Sequence, residues 1–163
     1  MGTNIKIRPV KISDVGDLQR NIYSQNSFIQ TEKNIKKSLA EMKRGVSTQL
    51  VAEVSGEVVG TMKVVFNQHV LRRHRGELFG VVVNPKHQRK GVARLLFNEC
   101  KKICVGKDLS ILETTVRGGT PAEDVYRKLG FIQYGKLPRG MLESWGEKKE
   151  FDEVFFYLNL NKD

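Results

Sequence analysis

The sequence contains no long apolar segment. In 163 residues, of which 39% are hydrophobic, no apolar run approaches the roughly 20 residues that a helix needs to span a bilayer. The N-terminus also lacks the apolar core of a signal peptide, and Lys6 stands where a myristoylation signal has Ser or Thr. We therefore expect a cytoplasmic protein with no membrane partner, and the length favours a single domain over residues 1–163.

Cysteine is scarce, and its placement argues against a metal site or a disulfide. Only Cys100 and Cys104 are present, four residues apart on the apolar side of a predicted helix, where small buried hydrophobes are the usual interpretation. None of the three histidines lies at a spacing that would complete a metal site with them. The sequence predicts no metal and no structural disulfide.

Positive charge is in excess, since 28 lysines and arginines outnumber 18 acidic residues and give a formal net charge of +10. Such an excess is typical of proteins that bind nucleic acid or another polyanion. The basic residues, however, concentrate in two short clusters, Arg72–Arg75 and Lys86–Lys90, and neither is interleaved with aromatic residues that could stack on bases. We therefore do not expect a nucleic acid partner, and attraction to a phosphorylated cofactor accounts for part of the same charge.

The stretch from Gly80 to Lys102 predicts a strand, a tight loop and a helix. A β-branched run at 81–83 ends at an Asn-Pro break, and apolar residues then recur at helical spacing from Val92 to Ile103. The start of a helix exposes unpaired amides and about half a positive charge. Successive amides from Gln88 to Ala93 could therefore hold a phosphate or a pyrophosphate.

Two sequence motifs narrow this interpretation. The P-loop and dinucleotide-binding glycine patterns are both absent. Gln88-x-x-Gly91-x-Ala93 instead resembles the Gln/Arg-x-x-Gly-x-Gly/Ala motif of the Gcn5-related N-acetyltransferase (GNAT) superfamily. Downstream, Tyr126-x-x-x-Gly-Phe resembles the end of that family's next helix, so that the matching parts span roughly residues 76–134.

The resemblance implies an α/β (α+β) fold and acetyl-CoA as co-substrate. The fold would be a mixed, mostly antiparallel, twisted sheet with helices on both faces, in which two central parallel strands, Val81–Val83 and Leu112–Thr114, splay apart. The pantetheine arm of acetyl-CoA would then pair with the freed strand edge. The residues expected to bind acetyl-CoA are Val81, Val83, Gln88, Arg89, Lys90, Gly91, Val92, Ala93 and Tyr126.

Two residues are candidates for catalysis. Tyr126 matches the family tyrosine that stands beside the CoA sulfur, where a phenol protonated at neutral pH can protonate the leaving thiolate. On its apolar helix face it could also be a core residue, but the surrounding motif favours the acid role. Glu113 matches a position where some relatives carry the carboxylate that takes the amine proton, although it could also be a strand residue facing solvent. Glu77 is the reserve candidate for this base.

The sequence departs from the family pattern in the region after Glu113. Many relatives have Asn where this chain has Arg117-Gly-Gly, so that Arg117 could instead reach a CoA phosphate.

An acidic and apolar group in and beside a predicted long loop could attract a cationic amine, or could be a solvated loop. Its members are Glu143, Glu147, Glu150, Asp152, Trp145 and Met141. The run from Glu113 to Pro138 also resembles, more distantly, the tabtoxin and streptothricin resistance acetyltransferases.

Local patterns predict the remaining elements. We expect Ser13 and Thr31 to cap the first two helices, and Ser55-Gly56 to form the turn of a hairpin. Residues 120–123 predict a helix start with a capping box. A short strand at 131–134, a long loop and a final strand at 152–160 complete the chain.

The sequence therefore predicts an acyl-CoA-dependent N-acyltransferase that passes acetyl directly from acetyl-CoA to a primary amine of a small molecule. A protein N-terminal or lysine acetyltransferase is the nearest alternative. A catalytically silent CoA-binding or RNA-binding module is the alternative from a different class. The oligomeric state stays open, with a homodimer as one arrangement.

Overall fold

The computed structural model describes residues 4–160, which form seven strands and four α-helices. In chain order they are β1 (Ile5–Pro9), α1 (Val15–Asn21), α2 (Phe28–Lys43), β2 (Ser47–Val54), β3 (Glu57–Phe66), β4 (Arg75–Val83), α3 (Val92–Gly106), β5 (Ile111–Arg117), α4 (Pro121–Lys128), β6 (Ile132–Glu143) and β7 (Lys149–Asn159). The strands form one sheet in the order β1-β2-β3-β4-β5-β7-β6. No helix in this range is long and apolar enough to cross a bilayer.

Only β4 and β5 run parallel, and all other neighbouring strands are antiparallel. This mixed, mostly antiparallel sheet confirms the predicted fold class. The hairpin at Ser55-Gly56 is also confirmed, and both turn residues have positive φ, 52° and 83°, as a tight turn between β2 and β3 requires.

The helices cover both faces of the sheet, as predicted. Because side chains alternate along a strand, β2 and β3 contribute to two separate cores. Leu50, Met62 and Val64 pack in the larger core with α3 and α4, whereas Val51 and Val58 pack with α1 and α2. The two faces are called here the α3/α4 face and the α1/α2 face.

The parallel strands separate part of the way along the sheet. Their backbone register joins Arg75 to Ile111 and ends at Glu77 and Glu113, although β4 continues to Val83. Leu112 therefore lies in the paired part, and the separation begins one residue after Glu113. From Leu78 onward the edge of β4 that faces β5 has no strand partner among residues 4–160, which leaves backbone groups available to a ligand.

A bulge in β4 accompanies the separation. Thr61 pairs with Val82 and Lys63 with Phe79, so β4 has one residue more than β3 over this interval. Gly80 lies within the bulge at φ 55°, a conformation that glycine adopts at little cost. The bulge redirects the backbone just where the strand loses its neighbour.

The predicted helix caps were wrong at the first two helices. A 3-10 turn from Ile12 to Asp14 precedes α1, so Ser13 lies inside the turn. Helix α2 begins at Phe28 with Ser27 as its cap, whose hydroxyl accepts a hydrogen bond from the Gln30 amide. Thr31 is fully buried one turn further on, because the buried face of α2 extends further toward the N-terminus of the helix than its apolar residues alone indicate.

The start of α4 follows the prediction only in part. Thr120 is the cap residue and Pro121 opens the helix, but the Thr120 hydroxyl donates to the Arg117 carbonyl. The Glu123 carboxylate accepts from the amide of Gly119, one residue before the expected partner. The reciprocal capping box is therefore replaced by a single bond that reaches back beyond the cap.

The predicted long loop before the last strand was wrong, because most of it forms a β-hairpin. Strand β6 extends to Glu143 and β7 begins at Lys149, which leaves a connection at 144–148. Pro138 is tolerated because β6 is the last strand of the sheet and one of its edges needs no donor. The register shifts between Leu137 and Met141, where Arg139 has φ 56°.

Candidate active site

The start of α3 offers a row of amides without protein partners. Gly91 caps the helix in a left-handed conformation, φ 83°, with no side-chain cap, and the first helical hydrogen bond is that of the Leu95 amide with the Gly91 carbonyl. Within residues 4–160, the amides of the five residues 89–93 donate to no protein acceptor. A Cβ built at Gly91 would meet nothing within 4 Å, so the space beside these amides is open to an anion.

Gln88 differs from its neighbours in this loop. Its amide donates to the Pro85 carbonyl at 3.4 Å, and its side-chain Nε2 donates to the Val83 carbonyl at 3.0 Å. Gln88 therefore holds the loop against the end of β4 with both groups. The remaining predicted amides, from Arg89 to Ala93, have no protein acceptor in the described residues and stay candidates for binding a diphosphate.

Tyr126 lies beside the separation of β4 and β5. It is 6% exposed, packs edge-on against Phe131 with ring centroids 5.3 Å apart, and has its phenol next to Thr114. The Thr114 hydroxyl in turn donates to the Leu78 carbonyl across the two strands at 3.1 Å. The Tyr126 hydroxyl is thus at the vertex of the opening, on the α3/α4 face. Burial raises the pKa of Tyr126 against the opposing effect of Thr114, and so keeps the phenol protonated.

The sequence did not point to Thr114 as a site residue. It is a fully buried polar side chain on a strand whose other inward-facing residues, Leu112 and Val116, are apolar. A lone threonine in an apolar face is the one signal that could have indicated a bridge between strands.

Glu113 lies on the opposite face of the sheet from Tyr126 and is held by other side chains. The Arg75 guanidinium contacts its carboxylate with Nε and NH2 at 2.8 and 2.5 Å, and the Tyr134 hydroxyl donates to it at 3.3 Å. Both oxygens of the Glu113 carboxylate therefore already accept hydrogen bonds from side chains of this chain. An incoming amine would have to compete with Arg75 for them.

Glu77 is the neighbour of Glu113 across the parallel pair and faces the same side. No salt bridge or hydrogen bond of its carboxylate is found in the described part of the chain. Partial burial raises the pKa of Glu77, and the charges of Glu113 and Glu153 raise it further, against a smaller opposing effect of Arg75. Glu77 thus has the higher basicity that a proton acceptor requires.

The acidic group predicted to attract a cationic amine is largely neutralised within the hairpin of β6 and β7. Glu143 forms an ion pair with Arg117, Glu150 pairs with Arg139 at 2.6 Å, and Asp152 pairs with Lys136 at 2.8 Å. The same contacts place Arg117 on Glu143 and over the Phe151 ring.

A cavity of about 220 Å³ on the α1/α2 face adjoins the unpaired part of β4. Its lining includes Phe79 and Gly80 of β4, together with polar side chains from α2, β2, β3 and the segment after α1: Tyr23, Asn34, Ser38, Gln49 and Lys63. Ser38 donates to Gln49 at 2.7 Å and Gln49 to Thr61 at 3.1 Å, so these three side chains form an uncharged hydrogen-bonded network in the wall, and Lys63 is the one charged side chain among the described residues of the wall. The sequence did not predict these residues, because they come from four separate segments.

The two cysteines fit their predicted role as core residues. Cys100 and Cys104 are buried and free, with sulfur atoms 4.0 Å apart. Within residues 4–160, no group of three or more His, Cys, Asp or Glu side chains could hold a metal ion.

Comparison with known proteins agrees with this geometry. The model of the Acetyltransferase (GNAT) family matches residues 15–131, well over half of the chain. The fold resembles an N-acetyltransferase of Staphylococcus aureus Mu50 with a TM-score of 0.80 at 17% identity, covering 98% of this chain and 100% of that one. It also resembles the yncA protein of Salmonella typhimurium, solved with its cofactor acetyl-CoA, with a TM-score of 0.80 at 20% identity over 98% and 95% of the two chains.

A third similar structure is a ribosomal-protein-alanine N-acetyltransferase of Brucella melitensis, with a TM-score of 0.78, 23% identity and coverage of 94% of this chain and 99% of that one. At these identities the likeness to solved structures establishes the fold. The family match, and not the fold alone, defines the class of protein, an acyl-CoA-dependent acyltransferase. The chain belongs to the GNAT acetyltransferase family.

Proposed function

We propose that this chain transfers acetyl from acetyl-CoA directly to the primary amine of a small molecule. The opening between β4 and β5 carries this proposal, because Glu77 and Tyr126 lie on opposite faces of the sheet at the point where the strands separate. A thioester held in that opening would be accessible to an amine from the α1/α2 face. Its sulfur would face the α3/α4 side.

The diphosphate of CoA would bind at the amides from Arg89 to Ala93, which the start of α3 supplies with a favourable dipole. The pantetheine arm would pair with the free edge of β4 from Leu78 to Val83. Val81 and Val83 belong to this edge, with the Val83 carbonyl already accepting from Gln88.

Glu77, rather than Glu113, would take the amine proton. A protonated amine cannot attack a carbonyl carbon, so one proton must leave, directly or through a water, before the carbon–nitrogen bond forms. Glu77 has a raised pKa and no cationic partner among residues 4–160, whereas Glu113 is paired with Arg75. As the carbon–sulfur bond breaks, Tyr126 would donate its phenolic proton to the departing sulfur.

The acceptor would bind in the cavity at Phe79 and Gly80. Its volume of about 220 Å³ and its fixed polar wall favour a small molecule over a protein segment. A protein N-terminal or lysine acceptor and a silent CoA- or RNA-binding module are the alternatives that an experiment must separate. The cytoplasmic location, the single domain over 1–163 and the lack of a nucleic acid partner stay predictions from the sequence.

A thiol-release assay with acetyl-CoA over a broad panel of small amines, peptides and antibiotics tests this function. We expect release with small amines and loss of release in Glu77→Gln, while Glu147→Gln, a matched change in the connection between β6 and β7, retains it. Release with peptides alone would exclude the small-molecule acceptor. No release with any amine, together with a gel shift of RNA, would exclude the enzyme.

A further inference from the structure

The α1/α2 face of the sheet is electrically polarised across the proposed acceptor site. Glu77 and Glu113 lie on β4 and β5, and the charge of Glu153 on β7 also acts on Glu77. On the other side of Phe79, two cations, Lys63 on β3 and Arg44 at the end of α2, outnumber the one acidic group beside them, Glu41 on α2. An acceptor that spans this face therefore meets opposite charges at its two ends.

A second cavity joins the acceptor site to the basic side. It has a volume of about 540 Å³, and it shares Lys63 and Phe79 with the smaller cavity. Val65, which also lines it, is the neighbour of Glu77 in the register of β3 and β4. The two cavities thus meet at Lys63 and Phe79, and Glu77 lies one strand away from the wall of the second cavity.

The two cations differ in whether their charge is already balanced. Lys63 Nζ lies 2.5 Å from the Glu41 carboxylate, and this hydrogen bond lowers the pKa of Glu41. Arg44 is exposed and forms no salt bridge or side-chain hydrogen bond with any residue in the range 4–160. The cavity therefore contains one uncompensated positive charge, at Arg44.

CoA does not neutralise the charge of Arg44, because its proposed site is too far away. The diphosphate site is at the start of α3, beyond the C-terminal end of β4, whereas Arg44 lies with the loop that precedes β4. The nine residues of β4 at about 3.3 Å each separate these two ends by about 25–30 Å. Arg44 lines the second cavity, beside the acceptor site, where an anionic group of the acceptor could pair with it.

We propose that the acceptor is an amine that also carries a carboxylate, which Arg44 binds while the amine lies at Glu77. This inference rests on the proposed function and deepens it. Glu77 and Arg44 are separated by at least two strand spacings, about 10 Å, so the amine and the carboxylate must be several bonds apart. Arg44 is then a residue that determines specificity, and Phe79 supports the apolar chain between the two charged groups.

The test compares three amines of equal chain length: ε-aminocaproate, n-hexylamine and hexamethylenediamine. With saturating acetyl-CoA, we expect kcat/KM for ε-aminocaproate to exceed that for each of the other two by about tenfold or more, as one charged hydrogen-bonded pair supplies. Arg44→Gln should remove this preference by raising KM for ε-aminocaproate. Arg44→Lys should restore part of it.

Lys43→Gln is the matched control, because it removes the same charge from the adjacent residue, which does not line the cavity. It should leave the preference unchanged. Arg44 also caps the C-terminus of α2, so the melting temperature of each variant is measured. A readout independent of folding is the ionic-strength dependence of the wild type, where added salt should raise KM for ε-aminocaproate by more than it raises KM for n-hexylamine.

Equal use of the three amines, or a preference for hexamethylenediamine, would overturn the inference and leave the acetyl transfer standing. Absence of thiol release with all three probes would likewise overturn the inference alone, since the proposed function is judged on the broad panel of amines. A preference for ε-aminocaproate that survives Arg44→Gln would overturn the assignment of Arg44, because another group would then bind the carboxylate.

Discussion

Tyr126 is buried in the larger core and still keeps a hydroxyl group at the opening between β4 and β5. Its ring packs against Phe131 and Phe156, and its hydroxyl lies next to Thr114. Tyr126 can therefore be both a core residue and the general acid, the two roles that the sequence allowed. The ring fixes the position, and the raised pKa retains the proton that a thiolate would take.

Replacing Tyr126 by Phe tests the acid function, because it removes the hydroxyl and keeps the ring. We expect kcat to fall by about 100-fold, the usual contribution of a general acid, with little change in the Kd for CoA. Steady-state kinetics and isothermal titration calorimetry measure the two quantities. Tyr157→Phe on β7 is the matched control, and unaltered turnover in Tyr126→Phe would leave Tyr126 with packing alone.

The pH dependence of turnover tests the choice of Glu77 as base. Turnover should rise with pH as Glu77 loses its proton, and the raised pKa of Glu77 sets the midpoint of this acid limb. Glu113→Gln removes a neighbouring negative charge and frees Arg75, and both changes lower the pKa of Glu77. The acid limb of kcat/KM should therefore move to lower pH in Glu113→Gln.

Glu153→Gln should shift the limb in the same direction by less, because its charge is the smaller of the two carboxylate contributions. If Glu113→Gln abolished turnover and Glu77→Gln did not, Glu113 would be the base and Glu77 would not. The sequence could identify both candidates but could not rank them. The ranking depends on Arg75, which is 38 residues from Glu113 along the chain.

At the scale of single elements, the start of α3 is the part of the site that the sequence predicted best. The motif residues lie within one short stretch, so the strand, loop and helix follow from local signals, and α3 begins at Val92 as the apolar spacing indicates. Gln88 is the exception, because its bonds to Pro85 and Val83 depend on how the loop folds back.

Gly91→Glu tests this anion site. A carboxylate close to the amides from Arg89 to Ala93 repels a phosphate, so we expect CoA affinity to be lost in calorimetry. Gly91→Ala is the control that separates charge from backbone strain, since it carries only the cost of a left-handed conformation, about 1 kcal/mol, and a Cβ that meets nothing within 4 Å. Unchanged CoA binding in Gly91→Glu would contradict the placement of the diphosphate.

The connection between β1 and α1 rests on Asp14. Its carboxylate is 5% exposed and accepts from Arg8 NH1 and NH2, both at 2.8 Å, and from the Lys11 amide at 2.7 Å. Burial raises the pKa of Asp14, but the bonds from Arg8 and Lys11 together lower it by more, so that the net pKa lies below its usual range. This stabilisation is complete above the unfolded pKa and is lost as the pH falls through the folded value.

Asp14→Ala should therefore lower the free energy of unfolding at neutral pH by about 3 kcal/mol, because it leaves the largely buried Arg8 guanidinium with fewer acceptors. Urea denaturation measures this change. Glu99→Ala, which breaks an exposed pair with Lys102, should cost less than about 0.5 kcal/mol. Equal effects of the two substitutions, or a loss in Asp14→Ala that does not shrink in acid, would refute this account of Asp14.

Other elements were mispredicted where tertiary contacts outweigh local signals. Ser27 caps α2 in place of Thr31, because Thr31 is needed in the buried face. The Gly- and Pro-containing stretch after Tyr134 becomes a strand because it pairs with β7 at the free edge of the sheet, where a proline and a register shift are tolerated. Neither outcome follows from the secondary-structure propensities of the residues concerned.

At the scale of the whole molecule, the hairpin of β2 and β3 and the parallel pair could be predicted because apolar runs, turn residues and motifs indicate them locally. The polarised α1/α2 face could not be predicted in this way. It combines Arg44, Lys63, Phe79, Glu77 and Glu113 from four segments of the chain, and only the register of the sheet brings them side by side. The acceptor site is thus a property of the assembled sheet.

A crystal structure of the complex with CoA measures the central claim most directly, through the distance from the CoA sulfur to the Tyr126 hydroxyl oxygen. The account predicts a sulfur atom between β4 and β5 within about 3.5 Å of that oxygen, a hydrogen-bonding distance, and diphosphate oxygens at the amides from Arg89 to Ala93. A sulfur atom outside the opening, or on the far side of β5 from Tyr126, would contradict it.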